Sequence, residues 1–226
     1  MSYVEKPPRR GRPIRPVPMA AAPPLIELAD GQLFDPLRPD PEALDIRLIA
    51  VGLSNLCRFG GQVDDFYSVA QHSVLVALLS PQDMPAQRMA LLHDAEEAFG
   101  LPDMPSPLKP HFPDYVGAQG RIAEAVYARF RLDPADHARI KPADRQALVT
   151  EKARFKSFSN LDYWNRWSFD FDPAPGLVID PLGPKEARGL FLAAYDRVFG
   201  KDLPVSRDWL QDRPGFTLEE ALAPGF

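Results

Sequence analysis

The sequence predicts a mainly α-helical fold in which residues 26–226 form a single domain. Apolar residues recur at helical spacing in several segments, whereas the period-two alternation of a half-buried strand is weak throughout. The chain has 226 residues, of which 45% are hydrophobic, so it is long enough to bury one well-formed core. We therefore expect a helical bundle around that core.

Residues 1–25 differ from the rest of the chain in composition. They are dense in proline and arginine, most clearly between Lys6 and Pro16. Such a segment cannot bury enough apolar surface to offset the entropy that is lost on ordering. We expect it to be disordered or extended, either as a solvated tail or as an arm that binds polyanions, and the composition favours the tail.

Turn and capping residues divide the rest of the chain into elements. Asp30 and Gly31 have the turn chemistry of a short hairpin. Ser68 and Gln71 form a capping box at the start of one helix, and Gly100 is suited to end the next helix in a left-handed cap. Helical periodicity predicts helices over approximately residues 41–56, 68–79, 85–99, 114–130, 134–155 and 184–199.

Two further local signals concern the second half of the chain. Pro142 should break or kink the helix over 134–155 near its first turn, because proline lacks the amide hydrogen. Thr217 and Glu220 form a second capping box, which predicts a short final helix.

An aromatic cluster follows the helix over 134–155, in a stretch without regular periodicity. It consists of Tyr163, Trp164, Trp167, Phe169 and Phe171. These rings could stack on a base, but packing in the core or at a subunit contact is the more common role.

Charge and cysteine content exclude several classes of protein. A net charge of −5 argues against a nucleic-acid-binding surface, and no apolar run approaches the roughly 20 residues that span a bilayer. The N-terminus lacks the pattern of a signal peptide, and Cys57 is the only cysteine, which fits a reducing compartment. We expect a cytoplasmic protein that has neither nucleic-acid duplexes nor membranes as partners.

Ionisable residues in apolar segments indicate where the chemistry lies. His72 and the pair His93–Asp94 sit in helices that are otherwise almost wholly apolar, where such groups are costly unless they are bonded or bind a metal. If the helix continues, Asp94 lies about 100° and Glu97 about 40° from His93, so the three share one arc. One nitrogen ligand, one oxygen ligand and a nearby carboxylate suit a divalent ion with a general base beside it.

A fourth ligand is expected from another helix. Asp144 qualifies because Leu148, one turn further on, directs this face towards the core. The spacing alone leaves other acids open, namely Asp103, Asp114, Asp133 and Asp136. A lone buried histidine is more often a hydrogen-bonded core residue, but the second apolar helix that carries His72 favours the metal interpretation.

These motifs resemble a known family. The order His72, His93–Asp94 and Asp144, with Ser-Val-Ala-Gln-His-Ser and Leu-Leu-His-Asp-Ala-x-Glu, closely resembles the HD-domain metal-dependent phosphohydrolases. The nearest branch is similar to the bacterial 5′-deoxyribonucleotidases and the phage HD-type dATP triphosphohydrolases. The resemblance covers residues 46–155, which leaves 156–226 as a C-terminal helical extension of the HD-type domain.

The resemblance implies a role for each matching residue. One divalent transition metal (cobalt, manganese, nickel, iron or zinc) is held by His72, His93, Asp94 and Asp144. The matching catalytic acids are Glu97 and Asp103, although this chain is one residue longer before Asp103. The residues at phosphate-contacting positions are Arg58, Lys109 and Lys141. Phe59 stands where relatives often carry a tryptophan against the sugar or base, so base preference stays open.

The expected function is the metal-dependent hydrolysis of (deoxy)nucleotides by a homo-oligomeric enzyme. The products are a deoxynucleoside with either phosphate, from a monophosphate, or triphosphate, from a dNTP. A (p)ppGpp hydrolase is an alternative, but that branch favours a Glu-Asp pair where this chain has Glu97 followed by Ala98. A third alternative is a non-catalytic HD module that senses nucleotides.

Overall fold

The computed structural model describes residues 23–218, apart from 103, 158–159, 161, 165–170 and 212. The mainly α-helical fold is confirmed for this part of the chain. Its α-helices are α1 (Ile46–Asn55), α2 (Val69–Leu79), α3 (Met84–Leu92), α4 (Pro113–Phe130), α5 (Asp136–Phe155), α6 (Pro184–Tyr195) and α7 (Arg207–Leu210). Short 3-10 helices cover Pro41–Ala43, Arg58–Gly61, Ala95–Ala98 and Lys109–His111, and one π-helix covers Asp196–Gly200. The segment predicted to be disordered lies, up to residue 22, outside the described residues.

Helix α2 forms the centre of the domain. All its residues up to Leu78 are buried, and it packs against α1, α3, α5 and α6. The hydroxyl of Ser68 accepts a hydrogen bond from the amide of Gln71 at 3.1 Å, as the capping pattern predicts. The side chain of Gln71 instead bonds to Asp180 O at 2.7 Å and accepts from the amide of Leu182 at 3.1 Å. Gln71 thereby ties α2 to the C-terminal part of the chain.

Two small antiparallel sheets flank the helices. The first, β1 (Ile26–Glu27) with β2 (Leu33–Phe34), is the hairpin that was predicted from Asp30 and Gly31. In the second, β3 (Leu177–Ile179) pairs with β4 (Phe216–Leu218). Thr217 lies in β4 opposite Val178, so the prediction that a helix begins at Thr217 is wrong. The local capping signal is overridden by backbone pairing with a strand that is distant in sequence. Glu220 lies outside the described residues.

Helix α3 is shorter than its sequence pattern predicts. It ends at Leu92 instead of Phe99, and the chain continues through a turn into the 3-10 helix Ala95–Ala98. The ring Nδ1 of His93 lies 2.8 Å from Ala90 O, so the side chain caps a carbonyl of the last turn. Gly100 does adopt a left-handed conformation, with φ of 80°, but it follows the 3-10 helix. His93 and Asp94 therefore lie at a helix end. The prediction that His93, Asp94 and Glu97 share one arc of a continuous helix is wrong.

A break or a kink was predicted at Pro142, and the break is wrong, because α5 is continuous through this residue. Pro142 and Ala138 are both exposed, so water can satisfy the carbonyl of Ala138 that proline leaves without an intrahelical donor. Ile140 and Ala143 on the opposite side are buried and anchor the helix in the core. Among the described residues, no helix is both long and apolar enough to cross a membrane.

Gly52 allows α1 to approach the 3-10 helix that follows the His93–Asp94 turn. A Cβ atom at this position would lie 2.6 Å from the Cα and O atoms of Ala98. We expect Gly52→Ala to lower the free energy of unfolding by about 1–3 kcal/mol through overpacking, although alanine is normally the better helix former. Urea denaturation measures this change. Gly189→Ala in α6, where nothing lies within 4 Å, is the control and should be neutral or stabilising. Equal stability of the two variants would contradict this account of the contact.

Candidate active site

Ionisable side chains from two segments of the chain meet at one point. His72 comes from α2, while His93 and Asp94 come from the turn after α3. The two Nε2 atoms lie 3.3 Å apart, and Asp94 Oδ2 lies 3.5 Å from that of His72 and 3.2 Å from that of His93. Both rings are almost fully buried, so these polar atoms meet inside the protein.

Asp144 of α5 joins the same cluster. Its Oδ1 lies 3.5 Å from His72 Nε2 and 3.9 Å from His93 Nε2. Three acids that the sequence left open lie elsewhere: Asp133 bonds to the amide of Ala135, Asp136 pairs with Arg139, and Asp114 is exposed. Asp103 lies outside the described residues. Of the described acids that the sequence left open, Asp144 alone reaches the two histidines.

Hydrogen bonds on the far side of each ring set the direction of the histidine lone pairs. Nδ1 of His93 faces the carbonyl of Ala90, which can only accept, so this nitrogen carries the hydrogen. Nδ1 of His72 lies 2.5 Å from Oε1 of Glu151. Burial raises the pKa of Glu151, but the charges of Arg58 and His72 and their hydrogen bonds outweigh burial and lower it. Glu151 is therefore ionised and accepts the hydrogen of Nδ1, which leaves both Nε2 atoms directed at the cluster.

This donor set fits a divalent cation. In neutral rings, the two Nε2 lone pairs would face each other beside two carboxylates, which is unfavourable unless a positive charge lies between them. Ligand distances of about 2.0–2.2 Å to one ion place adjacent ligand atoms roughly 3.0–3.5 Å apart. The separations of 3.2–3.5 Å among His72, His93 and Asp94 agree with that spacing. The side chains of Asp94 and Asp144 are 20% and 23% exposed, so the cluster is reachable from outside.

Without a cation, protons supply the positive charge. Burial and the charge of Arg58 lower the pKa of His72, but the charge of Glu151 and the hydrogen bonds that the ring donates to Asp144 and Glu151 outweigh them and raise it to about 9. Burial raises the pKa of Asp94, yet the charge and hydrogen bond of His93 lower it below its usual range. The pKa of Asp144 is also lowered, by His72, His93 and Lys141 acting against burial. Both carboxylates are thus ionised and available as ligands.

Glu151 is a candidate site residue that the sequence motifs did not indicate. It is completely buried, and its two oxygens hold His72 and the guanidinium of Arg58, whose Nη2 lies 2.9 Å away. Its spacing was a usable signal, because residue 151 lies seven positions after Asp144 and so on the same face of α5. Glu151 links Arg58, which lines the cavity described below, to a candidate metal ligand.

We expect Glu151→Gln to weaken metal binding by about 10- to 100-fold, because carboxylates behind ligating histidines orient the ring and raise its basicity. Isothermal titration of metal-free protein with manganese or cobalt measures the change in affinity. Glu186→Gln, an exposed glutamate of α6, controls for the loss of one carboxylate. Unchanged affinity in the Glu151 variant would show that this carboxylate does not support the site.

A cavity of about 870 Å³ opens over Asp94 and Asp144. Its lining includes most of the predicted site residues, namely Arg58, Phe59, Glu97, Lys109 and Lys141. Glu97 is 3% exposed and comes from the 3-10 helix Ala95–Ala98. The predicted residues therefore lie together, although a helix end and not a continuous helix presents them.

The cavity has further walls that the sequence motifs did not indicate. Additional lining residues are Arg145, Lys156, Asn160, Tyr163 and Trp164. With Arg58, Lys109 and Lys141 they give one cavity five basic side chains, beside three acids. Trp164 and Tyr163 contribute to the cavity, whereas core or interface packing was the favoured prediction for these rings. Such a cavity suits an anionic substrate with an aromatic group.

Glu96 is positioned differently from its neighbour Glu97. It is half-buried and does not line the cavity. Burial and the charge of Asp94 raise its pKa to about 8.

The fold and site define a helical protein with a candidate metal centre at the base of a basic cavity. Over 174 residues the chain is 38% identical to the uncharacterized protein YfdR of Escherichia coli (strain K12), covering 76% of this chain and 94% of YfdR. It is 36% identical over 182 residues to the uncharacterized protein RCAP_rcc00048 of Rhodobacter capsulatus, covering 74% and 92%. The chain belongs to the family that includes YfdR. No family model matches it.

Proposed function

We propose that this protein is a metal-dependent phosphohydrolase of the HD type that acts on nucleotides. The observation that carries the proposal is the convergence of two Nε2 atoms with Asp94 and Asp144 beneath a cavity lined by basic side chains. The order of these residues along the chain supports the HD assignment. The same resemblance implies a homo-oligomer, which light scattering on the purified protein tests.

A divalent ion bound here would polarise a phosphoryl oxygen and lower the pKa of a water molecule. Glu97 would take the proton of that water, and its support is that it is buried and lines the same cavity as Asp94. Its burial restricts the carboxylate to a narrow range of orientations, which suits a general base that must meet a water molecule in one place.

Basic residues would bind the phosphate group. Nη2 of Arg58 lies 2.9 Å from Glu151 Oε2, and its Nη1 lies 3.9 Å from Asp94 Oδ2. The guanidinium is therefore fixed beside the cluster of candidate ligands, and it also lines the cavity. Lys141 Nζ lies 3.3 Å from Asp144 Oδ2, and Lys109 lies on the same lining. These charges would offset the negative charge that develops during phosphoryl transfer.

The direct test is hydrolysis of a substrate panel by protein of known metal content. Metal-free protein is loaded with manganese, cobalt, nickel, iron or zinc and incubated with ribonucleoside and deoxyribonucleoside monophosphates, dNTPs and (p)ppGpp, and the products are separated by chromatography. Orthophosphate from monophosphates or tripolyphosphate from dNTPs supports the proposal. Hydrolysis of (p)ppGpp alone would instead favour the alternative function, a (p)ppGpp hydrolase of the HD type. If protein with full metal content hydrolysed no substrate in the panel, the result would contradict the proposal that the protein is an enzyme. It would favour a module that senses nucleotides.

A further inference from the structure

Two aromatic rings from distant parts of the chain form a corner in the cavity wall. Phe59 follows α1, whereas Trp164 follows α5 and lies beyond the segment that carries the HD motifs. Their ring centroids are 6.3 Å apart and their planes are inclined by 70°. Both residues line the cavity.

The backbone at Phe59 indicates that this ring position is maintained at a cost. Phe59 has φ of 57° and ψ of 26°, in the left-handed region that non-glycine residues seldom adopt, and Gly60 follows with φ of 62°. The loop is held next to it, because the amide of Arg58 donates to Tyr67 O at 2.8 Å. Strained backbone of this kind persists where the surroundings fix it, and it concentrates at ligand sites.

Direct bonds join the loop of Phe59 to the segment that leads to Trp164. The amide of Asp64 donates to Phe155 O at 3.0 Å, and Lys156 Nζ donates to Gln62 O at 2.7 Å. Both the amide and the hydroxyl of Ser157 donate to Asp64 Oδ2, at 2.8 and 2.7 Å. The two sides of the aromatic corner are therefore held together.

Two lysine side chains lie close to the rings. Lys156 Nζ lies 5.5 Å from the ring centre of Phe59, and Lys152 Nζ lies 6.0 Å from that of Trp164. The guanidinium carbon of Arg58 lies 5.6 Å from the Phe59 ring, while its Nη1 lies 3.9 Å from Asp94. Arg58 thus lies near both the aromatic corner and the cluster of ligands.

We propose that Trp164 is a specificity-determining residue that stacks on the base of a nucleotide substrate. A planar base against the face of Trp164 would present its edge to Phe59, because the two rings are steeply inclined. Its phosphate would then reach Arg58 and the ligand cluster on the near side. This inference rests on the proposed function, and it assigns base binding to a residue outside the HD motifs.

The test compares a nucleotide with the same phosphate ester lacking a base. Isothermal titration of metal-loaded protein measures the affinity for dAMP and for 2-deoxyribose 5-phosphate in the wild type, Trp164→Ala and Trp164→Phe. We expect Trp164→Ala to weaken dAMP binding by roughly 10- to 100-fold, which is the usual contribution of one stacked base, and to leave the sugar phosphate unchanged. Trp164→Phe retains a ring and should restore most of the affinity. Trp209→Ala, in α7 and outside the cavity lining, controls for the loss of a large side chain.

Each other result has a distinct meaning. Wild-type protein that binds both ligands equally would overturn the inference, because no base is recognised. A Trp164→Ala protein that retains dAMP affinity, or loses affinity for both ligands equally, would overturn it too. Hydrolysis by the wild type is measured separately, so selective loss of dAMP binding in a protein without turnover would contradict the proposed function alone.

Discussion

Asp94→Ala is expected to remove the bound metal and the hydrolytic activity together while helix content is preserved. Asp94 Oδ2 lies within 3.5 Å of both histidine Nε2 atoms, so its loss removes a central ligand. Its side chain is 20% exposed, and Asp144 and Glu151 remain as partners of His72, so the fold should tolerate alanine here. We expect turnover to fall by at least about a thousandfold, because several kcal/mol of transition-state stabilisation depend on the ion.

Elemental analysis, circular dichroism and steady-state kinetics on the same preparation test this expectation. His72→Ala should give the same loss of metal, since the ring contributes the second Nε2 atom. Asp114→Ala is the matched control, because Asp114 is an exposed acid that the sequence alone left open as a ligand. An Asp94→Ala protein with wild-type metal content would contradict the ligand assignment, whatever its activity.

Glu97→Gln is expected to keep the metal and lose turnover. The substitution preserves shape and removes only the ability to take a proton, so the ligands after α3 should stay in place. General-base catalysis contributes about 10²- to 10⁴-fold, and kcat should fall by that factor. Measured metal content should equal that of the wild type. This combination separates a proton acceptor from a ligand.

Glu96→Gln provides the neighbouring control for Glu97→Gln. Glu96 belongs to the same 3-10 helix but does not line the cavity, so kcat should change little. Wild-type turnover in the Glu97 variant would show that its catalytic assignment is wrong. If only the Glu96 variant lost turnover, Glu96 and not Glu97 would be the general base.

Residue type and position were sufficient to predict that His72, His93 and Asp94 belong to one site, whereas the choice of Asp144 among several acids came from the family resemblance. His72 and His93 stand in segments whose other residues are almost wholly apolar, so each ring must point to a partner. The ligand side chains meet in the structure although the end of α3 was predicted incorrectly. Helix α3 ends at Leu92, because His93 caps the carbonyl of Ala90, and this competition between side chain and backbone leaves no mark in the apolar pattern.

The remaining site residues depend on contacts that are distant in sequence. Glu151 shares a helix face with Asp144, so the sequence contained its signal, but its bonds to His72 and Arg58 arise only in the folded chain. Trp164 reaches the cavity because the segment after α5 bonds back to the loop at 62–64. No periodicity encodes such a connection, so its place in the cavity wall could not be predicted.

Cobalt titration of metal-free protein tests the central claim most directly, namely that two imidazoles and two carboxylates hold one divalent ion. The wild type should bind one cobalt ion per chain, with a visible absorption band whose shape reports mixed nitrogen and oxygen ligands. Asp144→Asn should weaken binding and shift that band, because it changes one ligand and nothing else in the cluster. A wild-type protein that binds no cobalt, manganese, iron, nickel or zinc in stoichiometric amount would contradict the account.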